Sequence, residues 1–132
     1  MTRSSRLRLL LLFPALAACA GRAPVRTEEA SSGEVELRDD EILVRVTNTY
    51  QGILDVYAIG SGLVDRLGTV SVGTPGTFRV RLRQFSAAAP IRIVARAIGG
   101  GGSANSGPLN LTGGEVVDLT VNANLSAGVL IR

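Results

Sequence analysis

The chain has 132 residues, with 14 basic and 11 acidic side chains and a formal net charge of +3. It contains no histidine, lysine or tryptophan, which excludes histidine catalysis, lysine Schiff-base chemistry and P-loop nucleotide binding. Its single cysteine excludes an internal disulfide. Three arginines precede residue 9; without them eleven arginines face eleven acids, so the basic balance does not indicate nucleic-acid binding. The composition predicts no resident cofactor.

The N-terminal segment has the layout of a secretory signal peptide. Arg3, Arg6 and Arg8 form a basic head, and residues 9–18 form an apolar run that ends in small residues. This run is too short to span a bilayer, which needs about 20 apolar residues. A buried core helix is the alternative, which the basic head and Pro14 disfavour.

The sequence Leu16-Ala17-Ala18-Cys19 follows this run and resembles the lipobox of bacterial lipoproteins. The resemblance implies cleavage between Ala18 and Cys19, with Cys19 as the lipidated first residue and the membrane as a partner. In that family an aspartate after the cysteine often marks inner-membrane retention. Ala20 at that position implies the outer membrane, facing the periplasm or the cell surface. Ordinary secretion after cleavage at Ala20 is the alternative.

The remaining chain divides into a tether and one domain. Residues 20–33 mix proline, serine, glycine and charges without apolar periodicity, so we predict a flexible tether over residues 19–33, headed by Cys19. Residues 34–132 are long enough for one domain with a hydrophobic core. The predicted organisation is therefore a signal peptide (1–18), a lipidated tether (19–33) and a folded domain (34–132).

Apolar residues alternate with polar ones along five segments of this domain. Such alternation is typical of strands with one buried face. The predicted inward sets are Ile42, Val44 and Val46; Leu54, Val56 and Ala58; Phe78, Val80 and Leu82; Ile91, Ile93, Ala95 and Ala97; and Val117, Leu119 and Val121. Glycine- and proline-rich turns separate these segments, so we predict an all-β fold, a single small antiparallel β-sandwich of about seven to nine strands. This layout resembles immunoglobulin-like and transthyretin-like modules, in architecture alone.

Arginines alternate along one predicted strand and recur along the next long one. Alternate residues of a strand share a face, and guanidinium groups match phosphate and carboxylate geometry, so neighbouring strands would form one anion- or partner-binding face. The candidate residues are Arg79, Arg81 and Arg83 on the first strand and Arg92 and Arg96 on the second. The alternative is a solvated sheet surface neutralised by acids of neighbouring strands, for which Asp55 and Asp118 are available.

Acidic residues offer two further candidates, a cation site and a carboxylate pair. Asp39, Asp40 and Glu41 provide oxygen ligands for a hard cation, but they lack calcium-loop spacing. A solvated turn is the favoured interpretation, and no metal site is predicted. A hydrolase site would require two carboxylates that face each other in a cleft. The candidate pairs are Asp55 with Asp118 and Asp39 with Glu115.

A glycan or small-ligand site is the third candidate. It requires Tyr50 and the glycine-rich segment 99–107 to line one concavity, because sugar sites combine an aromatic ring with nearby amides. The alternative is a plain turn at Tyr50 and a hairpin loop at 99–107. Near the C-terminus, Gly128 to Ile131 are predicted to form a closing strand or an edge that pairs with a partner.

The sequence therefore predicts a lipid-anchored cell-envelope protein with a non-catalytic binding, adaptor or structural role. Its expected partners are an envelope protein or an anionic lipid. Two alternatives remain open. One is a glycan or small-ligand binding module, and the other is an envelope hydrolase that uses carboxylate or serine chemistry.

Overall fold

The computed structural model describes residues 35–86 and 88–132. The predictions for the signal peptide, the lipobox, Cys19 and the tether lie outside the described residues. Eight strands form two four-stranded sheets that pack as a small sandwich, which confirms the all-β prediction. In chain order the strands are β1 (Glu41–Asn48), β2 (Leu54–Gly60), β3 (Leu63–Val70), β4 (Gly76–Arg81), β5 (Arg92–Ala97), β6 (Ser103–Asn105), β7 (Val116–Val121) and β8 (Ala127–Ile131).

The two sheets draw their strands from alternating parts of the chain. Sheet A has the order β4-β1-β7-β8, and sheet B has the order β3-β2-β5-β6. All neighbouring strands are antiparallel except β1 and β7, which are parallel. A parallel pair cannot be joined by a hairpin and needs a crossover. Here the chain crosses through sheet B between β1 and β7, so the sandwich contains one pair that hairpins alone cannot form.

The core lies between the sheets and follows the predicted alternation. The inward residues of β1, β2, β5 and β7 are at most 4% exposed. Phe78 and Leu82 are only partly buried, because β4 is an edge strand and Leu82 lies beyond its end. Leu43 on the outer face of β1 is also buried; its neighbours across the sheet are Arg79 and Val116.

Strand β3 has no counterpart in the five predicted segments. A bulge between Val56 and Tyr57 shifts its register with β2, so two-residue periodicity does not run through it. Gly68 lies at this bulge, and a methyl group there would come within 2.8 Å of Phe78 Cε1. The ring of Phe78 therefore packs where β3 has no side chain.

Arg83 does not continue strand β4, contrary to the sequence-based expectation. Residues Leu82–Gln84 form a short 3₁₀ turn instead. The Leu82 amide donates to the Asp40 carbonyl at 2.7 Å, and the Phe85 amide donates to the Leu82 carbonyl at 2.9 Å. The chain turns here because it leaves sheet A and crosses to sheet B.

The strand directions give the sandwich two distinct ends. The first strand begins at what we call the entry end, which also carries loops 82–91 and 106–115. The opposite end, called the far end, carries loops 49–53, 71–75, 98–102 and 122–126. Among residues 35–86 and 88–132 there is no helix long and apolar enough to span a membrane.

Candidate functional site

The ladder arginines Arg79, Arg81 and Arg83 are paired with acids at the start of β1. Glu41 lies opposite Arg81 in the β1–β4 register, and its carboxylate is 3.6 Å from Arg79 Nη1 and 3.7 Å from Arg81 Nε. Arg83 Nε lies 3.4 Å from Asp40 Oδ2. The acids that neutralise the ladder are thus Asp40 and Glu41, where the sequence had suggested Asp55 and Asp118.

Arg92 and Arg96 lie on the other sheet. Strand β4 is an edge of sheet A and β5 is an inner strand of sheet B, so the five arginines do not share one surface. The expectation of a joint face is wrong because the turn after Arg81 carries the chain between sheets. Within the described residues, neither Arg92 nor Arg96 has an acidic side chain at ion-pairing distance.

Asp55 and Asp118 do not converge. Asp55 lies on the outer face of sheet B and forms a 2.6 Å ion pair with Arg66. Asp118 lies on the outer face of sheet A and binds Arg132 at 2.7 Å. The hydrogen bond that Arg66 donates to Asp55 raises the pKa of the Arg66 guanidinium above its usual value. Each carboxylate therefore ties together two strands of its own sheet.

The second carboxylate pair and the acidic cluster also have local structural contacts. Glu115 Oε2 accepts a hydrogen bond from the Thr112 amide at 2.7 Å, which closes the turn before β7. Asp39 lies exposed in the turn before β1. In the described part of the chain, no three histidine, cysteine or acidic residues gather as metal ligands would.

A cleft opens where the outer face of sheet B meets the far end. We call it the Tyr57 cleft; its volume is about 510 Å³, within the range of small-ligand sites. Asp55 and Arg96 lie directly opposite each other across β2 and β5, and Tyr57 lies beside Val94 in the same register. The lining residues are Asp55, Tyr57, Arg96, Ala97, Ile98, Gly99, Gly100, Gly102 and Ser103.

An apolar strip continues from this cleft across sheet B. A smaller groove of about 210 Å³ shares Tyr57 and Arg96 with the cleft and adds Ile59, Val64 and Val94. Val64 is 60% exposed. Exposed apolar side chains next to tyrosine and arginine are typical of the centre of a binding surface.

The glycine-rich loop forms one wall of the cleft through its backbone. The Ala97 amide donates to the Gly102 carbonyl at 3.0 Å, which closes the loop. Gly101 has φ of +117°, and a methyl group there would come within 2.9 Å of Tyr50 Oη. Only glycine suits this backbone conformation and this close approach. The loop therefore touches Tyr50, but the aromatic residue that lines the cleft is Tyr57.

A buried amide holds the neighbouring loops in place. Asn48 Nδ2 donates to the Gly52 carbonyl at 2.8 Å and to the Val70 carbonyl at 3.2 Å. Asn48 Oδ1 accepts from the Tyr50 amide at 2.9 Å. The side chain is 1% exposed in relative terms, so it acts as an internal brace between two far-end loops.

Sequence reasoning missed Tyr57 and Asn48, although the pattern contains a signal for each. Asn48 occupies an inward position, two residues after Val46, where only apolar side chains are expected. Tyr57 occupies an outward position between Asp55 and Ile59, so its exposure follows from the same alternation.

No family model and no curated protein matches this sequence. Any functional conclusion about the sandwich therefore depends on its own geometry. The fold alone does not indicate a function, because sandwiches of this kind carry many unrelated ones. The Tyr57 cleft and the adjoining apolar strip form the candidate site.

Proposed function

We propose that this chain is a lipid-anchored cell-envelope protein with a non-catalytic binding or adaptor role, and that it contacts its partner through the outer face of sheet B. One observation carries the proposal. On the outer face of sheet B, Arg92 and Arg96 have no acidic side chain at ion-pairing distance among the described residues, and Arg96 shares a groove with Tyr57 and the exposed Val64. Unpaired guanidinium groups beside exposed apolar side chains favour binding over a plain solvated sheet.

The proposed anchor belongs to the N-terminal segment, and the cleft belongs to the sandwich. Lipidated Cys19 would hold the protein at the outer membrane, facing the periplasm or the cell surface, and residues 20–33 would connect it to the sandwich. The Tyr57 cleft lies at the far end of the sandwich, where β2 begins and β5 ends.

The anchor is tested by replacing its cysteine. We expect Cys19→Ala to abolish incorporation of labelled palmitate and to release the protein from the membrane fraction. Ala20→Asp is the matched control; in an envelope with two membranes it should keep the lipid label and move the protein to the inner membrane. A Cys19→Ala protein that remains membrane-bound would contradict the anchor.

The binding face is tested by in-cell photo-crosslinking at two equally exposed apolar positions. Val64 lies in the strip on sheet B and is 60% exposed, and Leu130 lies on the outer face of sheet A and is 61% exposed. With the native anchor kept, we expect a discrete adduct from position 64 and none from position 130. Adducts from position 130 alone, or none from either position, would overturn the assignment of the binding face.

A hydrolase that uses Asp55 with Asp118 gains no support from the described residues. Asp55 and Asp118 face opposite sides of the sandwich, and each forms an ion pair with an arginine of its own sheet. The glycan or small-ligand alternative is supported by the cleft.

A further inference from the structure

We propose that the Tyr57 cleft binds an acidic carbohydrate, with a single carboxylate or phosphate at Arg96 and the sugar ring against Tyr57. The inference rests on the proposed function, because it specifies the ligand of the same face. The cleft combines a cation, a carboxylate, an aromatic ring and a glycine loop within one volume of about 510 Å³. Each of these groups matches one part of such a ligand.

The anion is assigned to Arg96 by elimination of the neighbouring charges. Arg66 is bound to Asp55 at 2.6 Å and is not available. Arg92 lies on the same face of β5, but it is not among the residues that line the cleft. Arg96 lines the cleft, is exposed and has no acidic partner within residues 35–86 and 88–132. A guanidinium group binds carboxylate or phosphate through paired hydrogen bonds.

Asp55 supplies an acceptor for the hydroxyl groups of the ligand. Its Oδ1 accepts from Arg66, while Oδ2 lies 3.5 Å from Tyr57 Oη and retains capacity to accept hydrogen bonds. Because its charge is paired with Arg66, Asp55 acts in the cleft as an acceptor of hydrogen bonds from hydroxyl groups, which leaves Arg96 as the one unpaired charge among the described residues that line the cleft. One acid group together with several hydroxyls is the composition of an acidic sugar.

Backbone donors complete the wall opposite Tyr57. Gly99 and Gly100 line the cleft and are exposed residues, and their amides make no hydrogen bond to another described residue. Glycine at this wall lets a ligand approach the backbone closely. A sugar oxygen at this wall would receive hydrogen bonds without any conformational change in the closed loop.

The test uses the full chain in neutral detergent micelles and three soluble probes. They are a galacturonic acid disaccharide, glucosamine 1-phosphate and the neutral disaccharide cellobiose. We expect saturable binding of at least one acidic probe and much weaker binding of cellobiose, measured by NMR titration. Shifted resonances should cluster at Tyr57 and residues 98–103. Binding of the uronate probe alone would indicate that the ligand comes from a polysaccharide. Binding of the sugar phosphate alone would indicate a phosphorylated lipid headgroup.

Two arginine variants distinguish specific binding at Arg96 from general electrostatic attraction to the basic face. Arg96→Gln should lower the affinity for the acidic probe about tenfold or more, because a charge-assisted hydrogen bond is lost. Arg92→Gln removes the same charge from the same strand face and should change affinity less than about twofold. Neither arginine forms an ion pair among the described residues, so both variants should keep the wild-type unfolding midpoint.

Three outcomes would overturn the inference. They are equal affinity for cellobiose and the acidic probes, equal losses from the two arginine variants, and no saturable binding up to about 10 mM. If crosslinking from position 64 succeeds while every sugar fails, the ligand assignment fails and the proposed function stands. If both fail, the proposed function fails as well.

Discussion

Asn48 connects two backbone segments at the far end through one buried side chain. Its amide contacts Gly52, Val70 and Tyr50, at distances between 2.8 and 3.2 Å. Its own carbonyl accepts from the Gly73 amide at 3.2 Å. The loops that flank the candidate site are therefore positioned by the end of β1, which is an inner strand of sheet A.

Replacing this amide should destabilise the protein substantially. Asn48→Ala leaves two carbonyl groups and one amide without their partner, so we expect the free energy of unfolding to fall by about 2–4 kcal/mol. Asn122→Ala is the matched control, because Asn122 is exposed and bonds only locally to Ser126; it should cost less than about 0.5 kcal/mol. Urea unfolding measures both, and equal losses would show that Asn48 is not a brace.

Gly113 marks the closest backbone approach at the entry end. An added methyl group at this residue would collide with the Asp39 carbonyl group. The Gly114 amide donates to the Glu41 carbonyl at 2.8 Å, and the Leu43 amide donates to the Glu115 carbonyl at 3.0 Å. The turn before β7 is thus bonded directly to the beginning of β1.

We expect Gly113→Ala to cost about 1–3 kcal/mol of stability, because this backbone must shift to accept a side chain. In Gly128→Ala the new methyl group meets nothing within 4 Å. That control should be neutral or stabilising by up to about 1 kcal/mol, since alanine restricts the unfolded chain. Thermal unfolding of both variants checks the difference, and a neutral Gly113→Ala would contradict the close approach.

At the scale of elements, the pairing of β1 with β4 explains why several arginines can share one strand face despite their like charges. Like charges on one face repel, yet Arg79 and Arg81 both lie within 3.7 Å of the buried Glu41 carboxylate. Glu41 also accepts from the Arg38 amide at 3.3 Å. The ladder is therefore one part of an ion-pair network that joins the edge strand to the centre of sheet A.

Glu41→Gln should increase the net positive charge of the ladder on sheet A, because Arg79 and Arg81 lose their acidic partner. With the carboxylate neutralised, the full chain in neutral micelles should bind heparin roughly fivefold more tightly, as expected for one released arginine charge. Asp65→Asn is the charge-matched control, because it makes the same change in net charge and Asp65 binds the uncharged Gln84 instead of an arginine. Elution salt from a heparin column measures the change, and identical elution of both variants would contradict the network.

At the scale of the whole molecule, both sheets contribute to a single core without disulfides. The buried residues of β1, β2, β5 and β7 form one apolar cluster, to which Val70, Val80, Phe85, Ile91 and Ala104 also belong. Neither sheet can bury its inner face without the other. We therefore expect the two sheets to unfold together.

A fragment of residues 34–132 should fold and unfold in one cooperative transition. The two tyrosines of this fragment, Tyr50 and Tyr57, provide a local fluorescence signal at the far end and on sheet B, while circular dichroism follows the strands of both sheets. The two urea curves should coincide, with a slope of about 1–3 kcal/mol/M. Separate midpoints would mean that the sheets unfold independently.

Strand periodicity predicted much of the fold but little of the candidate site. The inward residues of β1, β2, β5 and β7 follow from local alternation, because each strand needs one apolar face. Strand β3 and the turn at Arg83 were missed, since a bulge and a crossover depend on partners elsewhere in the chain. Tyr57, Asp55 and Arg96 form a cleft only because β2 pairs with β5 in one register.

The sequence by itself determined the all-β class, the inward faces and the likeness of the N-terminus to a lipoprotein signal. Each of these depends on residues that are close in sequence. In the strands, the spacing of these residues controls which side of the strand they occupy. Only the tertiary structure decided which acids meet which arginines. That outcome depends on strand order: the chain crosses between sheets after Arg81, so Glu41 neutralises one group of arginines and Arg96 remains exposed in the Tyr57 cleft.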